Sequence, residues 1–205
     1  MAYMVPKECT WLEELPESIC EDKSFQRIIC FFMVHSLVKG TSARGKNLKA
    51  DYGWHSPWSK PFYLNKQLKE LSSNKHLLFS ASVYDQKPDS KKHAETMEEE
   101  IIKAVLDAFP QYDSEKICVY DSKKNQILST FAHIRNSFAH CRFNAKTENG
   151  KKVYCLEDVD TKMDAAGNVK VSARIVLFES TLLAWINLIQ AGEREYEKKE
   201  SSEIE

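Results

Sequence analysis

Four apolar residues, Ile127, Phe131, Ile134 and Phe138, are spaced four, three and four apart. At 100° per residue they fall within a sector of about 60° on a helical wheel. The stretch is therefore a helix with one core-facing stripe, and it starts near Asp121 or Ser122, either a good N-cap. Ser129, His133, Asn136 and His140 cluster on the opposite side of the wheel, and Arg135 projects about 140° from His140. Whatever the chain folds into must cover the stripe and find a use for the polar side.

Other segments carry weaker signals of the same kind. The apolar run from Ile28 to Val34 suggests a helix over about Phe25 to Lys39, buried on most sides and broken at Gly40 and Gly45. Pro61 suits the first turn of a helix with Leu64, Leu68 and Leu71 on one face. Thr96-Met97-Glu98-Glu99 fits a capping box, followed by Met97, Ile101, Val105 and Phe109 at helical spacing and closed by Pro110. Lys116 to Tyr120 reads equally as a short strand or as the lead-in to the central helix.

After that helix the period changes. Glu148-Asn149-Gly150 is a hairpin-type turn signal. Lys151 to Asp158 and Val169 to Leu177 read as strands, the second with one mostly apolar face. Ser180 or Thr181 can cap a last helix that buries Leu182, Trp185, Ile186 and Ile189. The pattern is mainly α, with a β-hairpin inserted after the central helix. Residues 1–192 form one domain, and residues 193–205 form a charged tail without an apolar face.

Composition narrows the function classes. Net charge is −1, so no global positive field attracts nucleic acid, and any such contact must come from local basic groups. The longest apolar run is too short to span a bilayer, and Met1 to Thr10 has no apolar signal-peptide core, so a soluble cytoplasmic protein is expected. The six cysteines, Cys9, Cys20, Cys30, Cys118, Cys141 and Cys155, form no CxxC pair. Reduced and mostly buried thiols are expected, with no metal site and no cofactor. Asp158 and Asp160 lack a third nearby ligand for a metal.

Arg135, Asn136 and His140 carry the chemistry. Cleaving RNA without a metal uses the neighbouring 2′-hydroxyl as nucleophile, so it needs a base, a donor to the phosphate oxygens and an acid for the leaving 5′-oxygen. Histidine suits the proton steps because its reference pKa is about 6.5. Arginine suits the phosphate because its planar fork binds two oxygens and keeps its charge. Asn136, one turn before His140, can orient the imidazole or donate to the phosphate. Arg135 reaches the same phosphate only if the helix ends or unwinds near Ala139, or if a second copy contributes.

The run from Phe131 to His140 resembles the Rx4–6H signature of HEPN domains. IRNSFAHCRF in particular is similar to a segment of plasmid- and defence-associated bacterial HEPN proteins. The likeness continues through Val153-Tyr154-Cys155-Leu156-Glu157-Asp158, Ser172 to Leu177 and Glu179 to Ile186, so it covers roughly residues 127–190. It implies an α-helical bundle, a homodimer joined through the motif helices, and a metal-independent endoribonuclease whose site residues are Arg135, Asn136 and His140. It implies RNA as partner, products with a 2′,3′-cyclic phosphate and a 5′-hydroxyl, and a toxin or phage-defence role. Cys141 stands where the family has glycine. Arg142 stands where the toxins controlled by nucleotidyltransferase antitoxins carry tyrosine, so that antitoxin is not the expected partner.

Two alternatives share these residues. One is a non-catalytic RNA-binding module that keeps Arg135 and uses the basic and aromatic residues of 44–60 (Arg44, Lys46, Lys49 and Lys60 with Tyr52, Trp54, His55 and Trp58). Those tryptophans can equally tuck against the core. Lys146, Lys151 and Lys152 can add phosphate contacts or sit in a solvated turn. The other alternative is a regulatory interaction dimer that pairs its helix face with a partner.

Overall fold

In a computed structural model, the structure describes residues 3–55, 63–72, 107, 109–119 and 126–193. The central helix is present as α3 (Gln126–Ala139), and its stripe of Ile127, Phe131, Ile134 and Phe138 is buried. Three more α-helices lie among the described residues: α1 (Lys23–Ile29), α2 (Tyr63–Glu70) and α4 (Glu179–Ala191). Asp22 caps α1 by accepting from the amides of Ser24 and Phe25 at 2.8 and 3.0 Å. α1 then widens into one π-helical turn, Cys30–Val34, and stops well short of Lys39. Leu64 and Leu68 of α2 are buried, while Leu71 is exposed.

The mainly-α bundle with one inserted hairpin is not what forms. Five antiparallel strands build one sheet: β1 (Met4–Pro6), β2 (Lys116–Val119), β3 (Phe143–Glu148), β4 (Lys151–Met163) and β5 (Asn168–Phe178). The architecture is α+β. The β4–β5 pair read from the sequence is its centre. β3 pairs with the far edge of β4 from Phe143↔Leu156 to Glu148↔Lys151. β4 occupies one edge of β5, so β1 and β2 lie end to end along the other, at Asn168–Lys170 and Ala173–Val176. The reason is general: a two-stranded ribbon is marginal in water, and added strands satisfy its free edges. Asn149 (φ 50°) and Gly150 (φ 74°) make the two-residue β3–β4 turn, the backbone an Asn-Gly pair favours.

Successive residues of a strand face opposite sides, and both sides of this sheet are covered. On one side Tyr154 and Leu156 of β4, and Ala173, Ile175 and Leu177 of β5, join a single hydrophobic cluster with α1, α3 and α4. Phe131 sets its ring 5.5 Å from Phe32 and 6.0 Å from Trp185. Trp185 donates its indole N–H to the Leu68 carbonyl at 2.7 Å. On the other side Val153, Cys155, Val176 and Phe178 pack against Trp11, Phe109 and Tyr112. β5 therefore buries two faces where one was expected, because the N-terminal segment crosses the second.

The N-cap expected at Asp121 or Ser122, Pro61, Trp58 and nearly all of the helix expected over 97–109 lie outside the described residues. So does the expected tail beyond Glu193, which itself accepts from the His55 amide at 2.9 Å. No helix among the described residues is long and apolar enough to cross a membrane.

Candidate functional site

The polar side of α3 does not open to solvent along its length. Ser129 and His133 are buried, Asn136 is half-buried, and only His140 is exposed. The covering element is β4. Counting by twos from Tyr154 and Leu156 places Asp158 on the helix-facing side, opposite Ala173 of β5. Its Oδ2 lies 2.7 Å from Nδ1 of His133 and accepts from Nδ2 of Asn136 at 3.1 Å. Asp158 is only 5% exposed and His133 8%. A buried carboxylate needs such donors, because desolvation without them is costly.

Asn136 passes the connection on. With its amide nitrogen on Asp158, its Oδ1 accepts from NH1 of Arg135 at 3.2 Å. NH2 of Arg135 donates to the Thr41 carbonyl at 3.2 Å, in the loop after α1. Nε of Arg135 is buried and makes no hydrogen bond. No carboxylate among the described residues pairs with this half-buried guanidinium. The other two arginines of the region differ: Arg142 and Arg174 both pair with the fully buried Glu157 on the opposite face of the sheet.

His140 lies just past the end of α3. The Arg142 amide donates to the Ser137 carbonyl at 2.9 Å and the Cys141 amide to the Phe138 carbonyl at 3.1 Å, with Cys141 at φ 53°. This is a Schellman C-cap, and its left-handed position carries a cysteine where such caps favour glycine. The helix does end at Ala139, as a convergence of Arg135 with His140 requires. Yet no hydrogen bond joins the His140 side chain to Arg135, Asn136 or any other described residue. The structure thus brings the side chains of Arg135 and Asn136 together, adds His133 and Asp158, and leaves the His140 side chain exposed, with its backbone amide on the Asn136 carbonyl at 2.9 Å. Cys141→Gly is expected to raise stability by about 1 kcal/mol, because a Cβ at positive φ strains the backbone. A urea titration of the two proteins checks it, and an unchanged or lower midpoint would contradict the cap assignment.

His133 and Asp158 were not among the candidate site residues. His133 was legible as lying on the face of Asn136. Asp158 entered only as a possible metal ligand, although a carboxylate in phase with the core-facing Tyr154 and Leu156 already demands partners.

Four of the basic residues singled out from sequence are engaged elsewhere, and Lys60 lies outside the described residues. Lys152 bridges Asp22 and Glu179 at 2.5 and 3.1 Å. Lys151 and Lys146 lie over the rings of Phe178 and Tyr112, and Lys46 pairs with Asp51 at 3.0 Å. Trp54 is fully buried and donates to the Ile189 carbonyl at 3.0 Å, so it is a core residue and not a platform for bases.

The thiols are less buried than expected, for Cys20, Cys30 and Cys141 are exposed. Burial pushes Cys9 up to about 11 and both Cys118 and Cys155 up to about 12, from 9.0. A thiol whose value is raised on folding adds stability below its unfolded value, and that stability is lost as pH rises through the folded one. The urea midpoint should therefore fall from about pH 9 upward. With a thiol reagent at pH 8, Cys20, Cys30 and Cys141 should react at once, and Cys118 and Cys155 only on unfolding; early labelling of Cys155 would contradict the packing of the second face.

Among the described residues no group of three or more His, Cys, Asp or Glu side chains is placed to hold a metal ion. No model of a known protein family, no curated protein and no solved structure matches this chain.

Proposed function

We propose that the chain binds RNA by seating a phosphate on Arg135 and cleaves it by attack of the neighbouring 2′-hydroxyl. The observation that supports this most directly is the state of Arg135. Among the described residues this half-buried cation meets only neutral acceptors and its Nε is unpaired, so a phosphate would supply a counter-ion that none of them provides. His140 is the proton-transfer group, exposed at the end of the same helix. In this reaction the 2′-oxygen bonds to phosphorus and the bond from phosphorus to the 5′-oxygen breaks. One histidine takes the 2′-hydroxyl proton, and a second acid protonates the leaving oxygen. One chain offers one exposed histidine at this helix end, so the proposal includes a homodimer in which a second copy supplies the other. The toxin or phage-defence setting rests on the sequence resemblance alone.

The test is cleavage of RNA in EDTA by the wild type, Arg135→Ala and His140→Ala, with the product ends identified. Cyclic phosphate ends from the wild type and a loss of at least about a hundredfold in both variants are expected. Equal cleavage by all three, or none by the wild type, would sink the reading.

A second reading, RNA binding without turnover, is favoured by one observation: no hydrogen bond among the described residues orients the His140 imidazole. Saturable binding that weakens with salt, with no products formed, would select it.

A further inference from the structure

We infer that Asp158 is a positioning residue for the phosphate site, acting on Arg135 through the amide of Asn136. The inference rests on the phosphate-binding role proposed for Arg135. Its basis is a chain of hydrogen bonds with a defined direction. An ionised carboxylate can only accept, so the Asn136 amide must turn its NH2 toward Asp158, and its carbonyl oxygen then faces Arg135. Were the amide reversed, NH2 would meet the guanidinium donors and the contact would be repulsive. Asp158 therefore decides which end of Asn136 the arginine meets. With its carbonyl on Arg135 and one amide N–H on Asp158, Asn136 bridges the two residues.

The anchor of the chain is rigid. Asp158 sits in a strand paired on β5, and its Oδ2 is held from a second direction by His133 Nδ1 at 2.7 Å. Donors arriving from two residues one turn apart on α3 leave the carboxylate little freedom to rotate. At the other end, the Thr41 carbonyl holds NH2 of Arg135. The guanidinium is thus held through NH1 by Asn136 and through NH2 by the Thr41 carbonyl, while the second N–H on each of these nitrogens has no bonded partner among the described residues.

The prediction separates positioning from a purely structural role. A fluorescein-labelled single-stranded RNA 12-mer is titrated by anisotropy between 50 and 200 mM salt with the wild type, Arg135→Ala, Asp158→Asn and the double variant. Arg135→Ala is expected to weaken binding about tenfold and to reduce the salt slope by about 0.7, the value for one phosphate contact on a single strand. The near-isosteric Asp158→Asn should lose most of the same affinity and slope. The double variant should bind within twofold of Arg135→Ala, since a residue acting through Arg135 has nothing further to lose. Additive losses, or wild-type binding by Asp158→Asn, would overturn the positioning role while leaving Arg135 as the phosphate ligand. Wild-type binding by Arg135→Ala would overturn both. If Asp158→Asn does not fold, Asn136→Ala breaks the same chain without touching the buried carboxylate, and the same non-additivity with Arg135→Ala decides the matter.

Discussion

Glu157→Ala is expected to lower the unfolding free energy by about 3–5 kcal/mol, the largest stability loss of any single substitution discussed for this chain. The Glu157 side chain is fully buried and faces away from the helices. Its Oε2 accepts from Nε of Arg174 at 2.7 Å, and its Oε1 from Arg142 and from the Trp11 indole, the latter at 3.3 Å. Removing the carboxylate takes an ion pair from two guanidinium groups, one of them (Arg174) 7% exposed, in surroundings that include the rings of Tyr3 and Phe109. It also removes the acceptor of the Trp11 indole N–H. Against a typical total of 5–15 kcal/mol this is a large fraction, equivalent to roughly 10–15 °C in melting temperature. Replacing Glu157, Arg142 and Arg174 together by apolar residues of similar size should restore much of the loss, because the penalty comes from uncompensated charge. Thermal and urea denaturation of the single and triple variants measure both effects. A loss below about 1 kcal/mol for Glu157→Ala would show that the arginines find water or other partners.

Arg135→Met should behave in the opposite way. Among the described residues the side chain has no ion pair to lose, and its two hydrogen bonds go to neutral acceptors. Losing those bonds offsets the relief of no longer desolvating a cation, so stability should change by less than about 1 kcal/mol. RNA cleavage, by contrast, should fall by about 10²–10³-fold, the size of effect seen when one donor to a developing negative charge is removed. Melting curves and initial rates from the same preparation make the comparison. A variant that is both inactive and several kcal/mol less stable would assign Arg135 to the framework.

The contrast between these two sites also explains the resemblance read from the sequence. Most of the residues that carry it are framework. Phe138, Phe143, Tyr154, Leu156 and Trp185 are buried in the helix-side core, and Arg142, Glu157 and Arg174 form the ion cluster on the far face. The helical bundle that the resemblance implied is not what these residues build. Arg135 and His140 are the ones proposed to act on RNA.

Local pattern alone located α3, the Asn149-Gly150 turn, the β4–β5 pair and α4, because each has a period or a turn residue visible within a few positions. The strands β1 and β2, three and four residues long, are too short for any period to register, and β3 follows the C-cap of α3 after a single residue. What recruits them is an unsatisfied sheet edge, a demand created far away in sequence. Missing β1 and β3, and leaving β2 open between a strand and a helix lead-in, turned an α+β fold into an expected bundle.

The site divides along the same line. The residue types of Arg135, Asn136, His133 and His140, and their places on one helix, were written in the sequence. That Arg135 meets only neutral acceptors among the described residues, that Asn136 donates to Asp158, and that His133 is closed off beneath β4 were not. Each depends on a partner at least 22 positions away, and only the pairing of β4 with β5 and the packing of α3 across it bring those partners within hydrogen-bonding distance. Helical spacing set which side chains α3 could present, and the sheet decided which of them remained free to meet a ligand.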